Sequence, residues 1–503
     1  MKKADKLHEL IRSMSMSEKR YFKLYASRHT IGEKNNYTTL FDLLEGMEAY
    51  DPDQLAESLR RQGTGIKHLS SDKNYLYHLI LKGLSAFHSG KTASLEIKEL
   101  LHQVEILYMR GLYEHCGPVL LKAYRKAEQY DLYPLLLEIA GWQRKMLRIE
   151  GDLAGVKDSL NDSMNHMALL DNLNAYMKLY YQVSELRKGM DKARTAEERS
   201  RFDDFIAHPF LEDETIALSH LARIFFWRSH CAYHYVVDRP IDELHANEKL
   251  LALMEEDPDY AEEYPEEYIS VYSRILNLRR NGPDEGFYET LQFFRAFPGR
   301  LKKARRKIEA RVGILSHQTE MRHLLEKGRF EAARELLPAL KEVRGRFQKF
   351  MTDDECALYH YQIAHTWVGN DQVAKALPHV NEILNERFAD VRIELSAFTR
   401  ILNLVIHYEL SNHSLLRYNV DATLRFLKKN DRLYPVEHAL LKLFRQLSKQ
   451  AGDVRALRCI KECRDELQSL LHDDFGRQTL HYFDAISWLE QKIAAAGTHS
   501  KTL

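Results

Sequence analysis

His230 and His234 stand four residues apart in the stretch SHCAYHY, with Cys231 three residues before His234. On a helix that spacing puts both imidazoles on one face, the arrangement that offers two nitrogen ligands to a zinc ion. No Glu occupies the position of a zinc-protease base, no third ligand is implied, and the chain holds 24 histidines, so the pattern favours a packed or solvated pair. Gly90-Lys91-Thr92 has the tail of a phosphate-binding loop, but its first glycine would fall at Ser85, after a helix rather than a strand. Without that glycine-rich curve no amides are aimed at a phosphate. Gly63-Thr64-Gly65 lacks the third glycine of a dinucleotide-binding turn. Cys459 and Cys463 are also four apart, yet Cys463 shares a face with Leu457, Ile460 and Leu467 and reads as core filler. Neither Gly-x-Ser-x-Gly nor His-Glu-x-x-His occurs. The expectation is a protein without catalysis, cofactor or metal.

Charge is the next chemistry on offer. Seventy-three Lys and Arg balance seventy-three Asp and Glu, so no global field draws the chain to nucleic acid or an anionic membrane, and any attraction must be local. Two blocks stand out. Residues 255–267 contain eight acids, and residues 295–311 contain eight bases against Glu309 alone. In the second block Leu301, Ala304, Ile308, Val312 and Leu315 keep an apolar stripe, so Lys302, Lys303, Arg305, Arg306 and Lys307 point outward as a basic patch. Such a patch is either a landing site for an acidic partner or nucleic acid, or a solvated face neutralised by the acidic block; charged helix faces favour the second.

These residues must be carried by helices. From about residue 95 onward an amphipathic stripe, a turn and a second stripe recur, with turn marks at Gly111, Gly151, Gly189, Asp238, Gly282, Gly328, Gly369, Asn412 and Gly452. The spacings run 40, 38, 49, 44, 46, 41, 43 and 40. Ile97, Leu100, Leu101, Val104 and Leu107 line one face before Gly111, and Val373, Ala376, Leu377, Val380 and Ile383 line one after Gly369. Hairpins of that kind cannot bury their apolar faces alone and must stack. Almost nothing alternates with period two, so no strands are expected. Residues 1–92 lie outside the repeat and read as a small helical domain or cap. In it, Ser15 and Glu18 form a capping box opening a helix at 16–27, and further helices are expected near 37–48, 53–61 and 72–88. Residues 494–503 carry no stripe and read as a disordered tail. The N-terminus lacks an apolar core of signal-peptide length and no apolar run approaches a membrane span, so a cytoplasmic protein with no membrane insertion is expected. Five scattered cysteines suit reduced thiols in that compartment.

Three turns carry a more specific pattern: Gly328, Phe330 and Ala333 in GRFEAA; Gly369 and Ala374 in GNDQVA; Gly111, Tyr113 and Cys116 in GLYEHC. Here residues 93–493 resemble the tetratricopeptide repeat, with glycine at the turn, an aromatic two later and a small residue five later. Val156 replaces the small residue after Gly151, and Asp238 and Asn412 replace the turn glycine. The period exceeds the family's value of about 34, and armadillo or HEAT-type stacking is the nearest rival. The resemblance implies an all-α chain, a right-handed α-solenoid of about nine antiparallel hairpins, whose first helices line a concave groove at their second, fifth, ninth and twelfth positions.

Carried over, that register selects Lys98, Leu101, Glu105 and Tyr108; Glu138, Gly141, Lys145 and Arg148; Gln318 and Arg322; Cys356, Tyr359, Ile363 and Thr366; and Lys442, Gln446 and Lys449. Bases outnumber acids in the set. The expected function is a protein–protein interaction scaffold or adaptor, binding a partner peptide or domain with acidic groups, and using Tyr359 as an apolar anchor. The alternative is a nucleic-acid-binding regulator in which the N-terminal domain touches DNA or RNA and the repeats sense or dimerise. It would resemble regulators that join a helix-turn-helix to tetratricopeptide repeats. Residues 1–23 carry seven bases against three acids, but the connection between the helices at 53–61 and 72–88 exceeds the three or four residues of such a motif.

Overall fold

The computed structural model describes residues 5–27, 36–62, 68–90, 92–187, 192–193, 196–257, 260–302, 306–385, 393–430, 432–449, 453–470 and 483–499. Every regular element among them is helical and none is a strand, as the lack of period-two patterning requires. Among the described residues no helix is long and apolar enough to cross a membrane. The chain forms two compact units, Met1–Tyr181 with Asp213–Phe226, and Gln182–Glu212 with Trp227–Leu503. The division falls inside two helices, Leu153–Leu186 and His220–Val236.

In the first unit, helices Lys6–Ser13, Met16–Ser27, Asn36–Gly46, Pro52–Arg61 and Leu69–His88 enclose a cluster that includes Leu7, Ile11, Phe22, Phe41, Leu55, Leu76 and Ile80. The capping box forms: Ser15 N donates to Glu18 Oε2 at 2.6 Å and Glu18 N donates to Ser15 Oγ at 3.3 Å. Gly90, left-handed at φ 70°, follows Leu69–His88, and Thr92 Oγ1 accepts from Leu95 N to start the next helix. The loop-like glycine and threonine are therefore helix punctuation; Lys91 lies outside the described residues, as do Gly63, Thr64 and Gly65.

Ala93–Met109, Tyr113–Gln129 and Tyr133–Glu150 then pack each on the next, with left-handed turns at Gly111, Asp131 and Gly151. Cys116 is fully buried with its thiol toward Val104 O and Leu112 O, the close approach that its small-residue position demands. After Gly151 the pattern changes. Leu153–Leu186 is one unbroken helix of 34 residues where a turn between two shorter helices was expected. No Gly or Pro occurs from residue 156 to 188, so nothing locally stops it. Gly189 lies outside the described residues, as does Gly452.

In the second unit, neighbouring helices pack in sequence, and a second set of contacts skips one helix. Pro265–Arg279, Arg306–Glu326, Asp353–Gly369, Ile393–Glu409 and Pro435–Leu447 each touch the next member of that series, making one continuous row. His323, His365 and His407 recur at intervals of 42 along it, each buried. His323 stacks on Phe287 at 4.0 Å and His365 lies 5.8 Å from Phe330, each ring meeting the first turn of the preceding helix. Burial disfavours the imidazolium and lowers the pKa of all three, to about 4 for His365.

Two turn assignments are corrected. The left-handed residue is Asp371 rather than Gly369, and Ser411 rather than Asn412. Gly369 is the last residue of its helix, and a Cβ there would clash with the Phe330 ring at its Cδ1. The glycine serves close packing, not the turn. Asp238 and Gly328 do adopt left-handed backbone, at φ 57° and 66°. The C-terminal helix Ala485–His499 also overruns the expected tail at residue 494, because Ala494, Ala495 and Ala496 are strong helix formers.

Candidate partner-binding surface

The register carried over from the repeat family sets Glu138, Gly141, Lys145 and Arg148 along one face of Tyr133–Glu150, and Lys98, Glu105 and Tyr108 along Ala93–Met109. Lys98, Glu105, Glu138, Lys145 and Arg148 are exposed, Tyr108 and Gly141 half-buried, and Leu101 buried. Nothing lies within 4 Å of the place a Gly141 side chain would start. The structure brings Tyr108 and Lys145 together around a third residue, Trp142. The Tyr108 and Trp142 rings meet edge to face at 5.6 Å, Tyr113 stands 5.3 Å from Tyr108, and Lys145 Nζ sits 3.7 Å above Trp142 and 5.7 Å from Tyr108. Half-buried aromatics with a cation above them form an anchor of low conformational entropy with a charged rim, the composition of binding hot spots.

Trp142 lies one residue off the repeat register, which falls on its neighbour Gly141. Two large aromatics and a Lys at positions 108, 142 and 145 are the signal that could have found it.

Along Arg306–Glu326 and Asp353–Gly369 the same register selects mostly covered residues. Tyr359 is 5% exposed and packs against Met321, Leu325, Leu337 and Leu340 with the Arg344 guanidinium 4.5 Å above its ring, so it anchors the core rather than a partner. Ile363 and Thr366 are fully buried, and Gln318 Nε2 donates to Glu355 O at 2.7 Å across two helices of the row. Arg322 is half-buried and donates to Glu326, which also pairs with Arg280. Cys356 and Gln446 are half-buried; Lys442 and Lys449 are exposed, with Lys442 Nζ 3.5 Å from Glu466.

The C-terminal segment adds contacts of its own at Glu409 and His365. Phe483, Ala485, Trp488 and Leu489 join the core cluster of the last helices. Trp488 Nε1 donates to Glu409 Oε1 at 2.7 Å, Lys492 pairs with Glu409 Oε2 at 2.6 Å, and Phe483 reaches within 5.7 Å of His365.

The two charge blocks meet. Lys307 pairs with Glu266 at 2.6 Å, Arg300 with Glu255 at 3.8 Å, and Lys302 N donates to Glu262 Oε2. Arg306 is exposed, and Lys303 and Arg305 lie outside the described residues. In the N-terminal helices, Lys19 pairs with Glu45, and Lys23 with Asp42 and Glu45. Of the metal-like pair, His230 Nε2 lies 3.0 Å from Leu211 O while burial lowers the His234 pKa, and among the described residues no three His, Cys, Asp or Glu side chains converge on a common point. Burial likewise pushes the Cys463 thiol up to about 12, away from the reactive thiolate.

No protein-family model and no curated protein matches this sequence.

Proposed function

We propose that the protein is a non-catalytic cytoplasmic scaffold, a tetratricopeptide-like right-handed solenoid of helical hairpins that takes a protein partner on the face bearing Tyr108, Trp142 and Lys145. The stacked reading is supported by the contacts that skip one helix and by the 42-residue recurrence of His323, His365 and His407. The observation that carries the binding reading is the Lys145 ammonium 3.7 Å over a half-buried Trp142, with Arg148 exposed on the same helix and Lys98 exposed on Ala93–Met109. This suits a peptide or domain that offers an apolar group to the aromatics and carboxylates to the cations. A nucleic-acid role has less behind it, since Lys19 and Lys23 in the N-terminal helices are engaged by Asp42 and Glu45.

The test is recovery of crosslinked complexes from the native cells, with and without nuclease, comparing the wild type with Lys145→Glu combined with Arg148→Glu. A protein that persists after nuclease and is lost from the double variant supports the scaffold. A partner indifferent to both cations contradicts this face, and one released by nuclease contradicts the protein-binding reading.

A further inference from the structure

The long helix Leu153–Leu186 is built inside out in its first half. Its covered side is polar: Ser159 and Ser163 are buried, and Arg144 Nη1 donates to Ser163 Oγ at 2.8 Å and reaches Ser159 O and Oγ at 3.4 Å. Its outward side is apolar. Leu153 is 75% exposed, Leu160 48%, Met164 68% and Met167 58%. At about 100° per residue these four, with exposed Ala168, fall within about 60° of the direction of Met164. A soluble helix normally turns such a stripe to its own core, so the reversal marks a face that something else covers.

The charges on that face say what. Lys157 and Asp171 are both exposed, lie about 20° either side of the stripe's centre line, and stand seven residues, about 10.5 Å, before and after Met164. Neither has an ion-pair partner among the described residues. An antiparallel copy of the same helix, related by a two-fold axis through Met164, would set Lys157 of one chain against Asp171 of the other, twice. It would also place Leu160 against Ala168, large against small. A parallel copy in register would oppose lysine to lysine and aspartate to aspartate.

We propose that two copies of this chain associate through this face, antiparallel and centred on Met164, with Lys157 and Asp171 forming reciprocal ion pairs. An interface of that symmetry uses one patch on both subunits. A single helix pair falls at the small end of specific interfaces, below about 1,200 Å², so the association depends on protein concentration.

Sedimentation of the full chain over a concentration series tests this. The wild type is expected to pass from monomer to dimer, and Met164→Asp to stay monomeric with an unchanged circular dichroism spectrum. Lys157→Asp and Asp171→Lys should each weaken association by about tenfold, and the two together should restore it to within about threefold of wild type, because the pairs reform with reversed sign. Met164→Cys should crosslink to itself under mild oxidation, read against the wild type, whose Cys231 and Cys356 are partly accessible. A wild type that remains monomeric throughout, an association untouched by Met164→Asp, or a combined charge reversal no better than either single change would overturn the proposal.

Discussion

The face of Tyr133–Glu150 in the first unit and the row of helices in the second were selected by the same register, yet they differ in exposure. On Tyr133–Glu150 the selected residues are half-buried or free to solvent, whereas on Asp353–Gly369 the selected Tyr359, Ile363 and Thr366 are buried. Within the second region the cover has two sources: Met321, Leu325 and Leu337 of neighbouring helices enclose Tyr359 and Ile363, and Trp488 and Lys492 of the terminal helix engage Glu409. A repeat register tells which side chains share a face; it does not tell whether that face is already occupied.

The largest expected effect removes the cover. Trp488→Ala deletes a 7%-exposed indole and its bond to Glu409, and should lower stability by about 3–5 kcal/mol in denaturant unfolding while speeding amide exchange in Ile393–Glu409. Exchange unchanged there would break the comparison.

A second test uses pH. Glu437 is 4% exposed, its Oε2 has no hydrogen-bond partner among the described residues, and burial raises its pKa to about 7. Because the folded value lies above the unfolded one, the folded state holds the proton more tightly, and the penalty grows as pH rises from about 4.5 to 7. Glu437→Gln should therefore gain about 2–3 kcal/mol over wild type above pH 7 and nothing below pH 4.5, read from urea midpoints at the two pH values. An equal difference at both would refute the buried carboxylate.

Smaller still is the glycine that was read as a turn. Gly369→Ala forces a methyl against Phe330 and should cost about 1–3 kcal/mol in thermal unfolding, whereas Gly141→Ala, with open space before it, should change stability by less than about 1 kcal/mol. The smallest stability effect belongs to the proposed binding residues: Lys145→Glu with Arg148→Glu should stay within about 0.5 kcal/mol of wild type while losing the partner.

Much of the local structure was legible. The helix opened by Ser15 and Glu18 begins where expected because its cap is written in neighbouring residues. Gly111, Gly151 and Gly328 mark left-handed turns for the same reason. Gly369 misled because glycine also serves close approach, and only the position of Phe330, 39 residues earlier, distinguishes the two uses. The unbroken Leu153–Leu186 has only the absence of Gly and Pro from 156 to 188 to signal it. The docking of the terminal helix at Glu409 was not legible at all: Glu409 and Lys492 are 83 residues apart, and no periodicity connects them. At the candidate surface, the cations were found and the indole beneath one of them was passed over, since register names positions and not the rings that meet between them.

The central claim is that a partner meets the chain at Trp142 and not on the covered row. A photoreactive residue placed at position 142, and separately at the half-buried Leu358, in the full chain within its native cells puts that claim to its most direct test. The account predicts a nuclease-resistant protein adduct from position 142 that disappears with Lys145→Glu and Arg148→Glu, and none from position 358. An adduct from 358 alone, or one at 142 indifferent to the two cations, would contradict it.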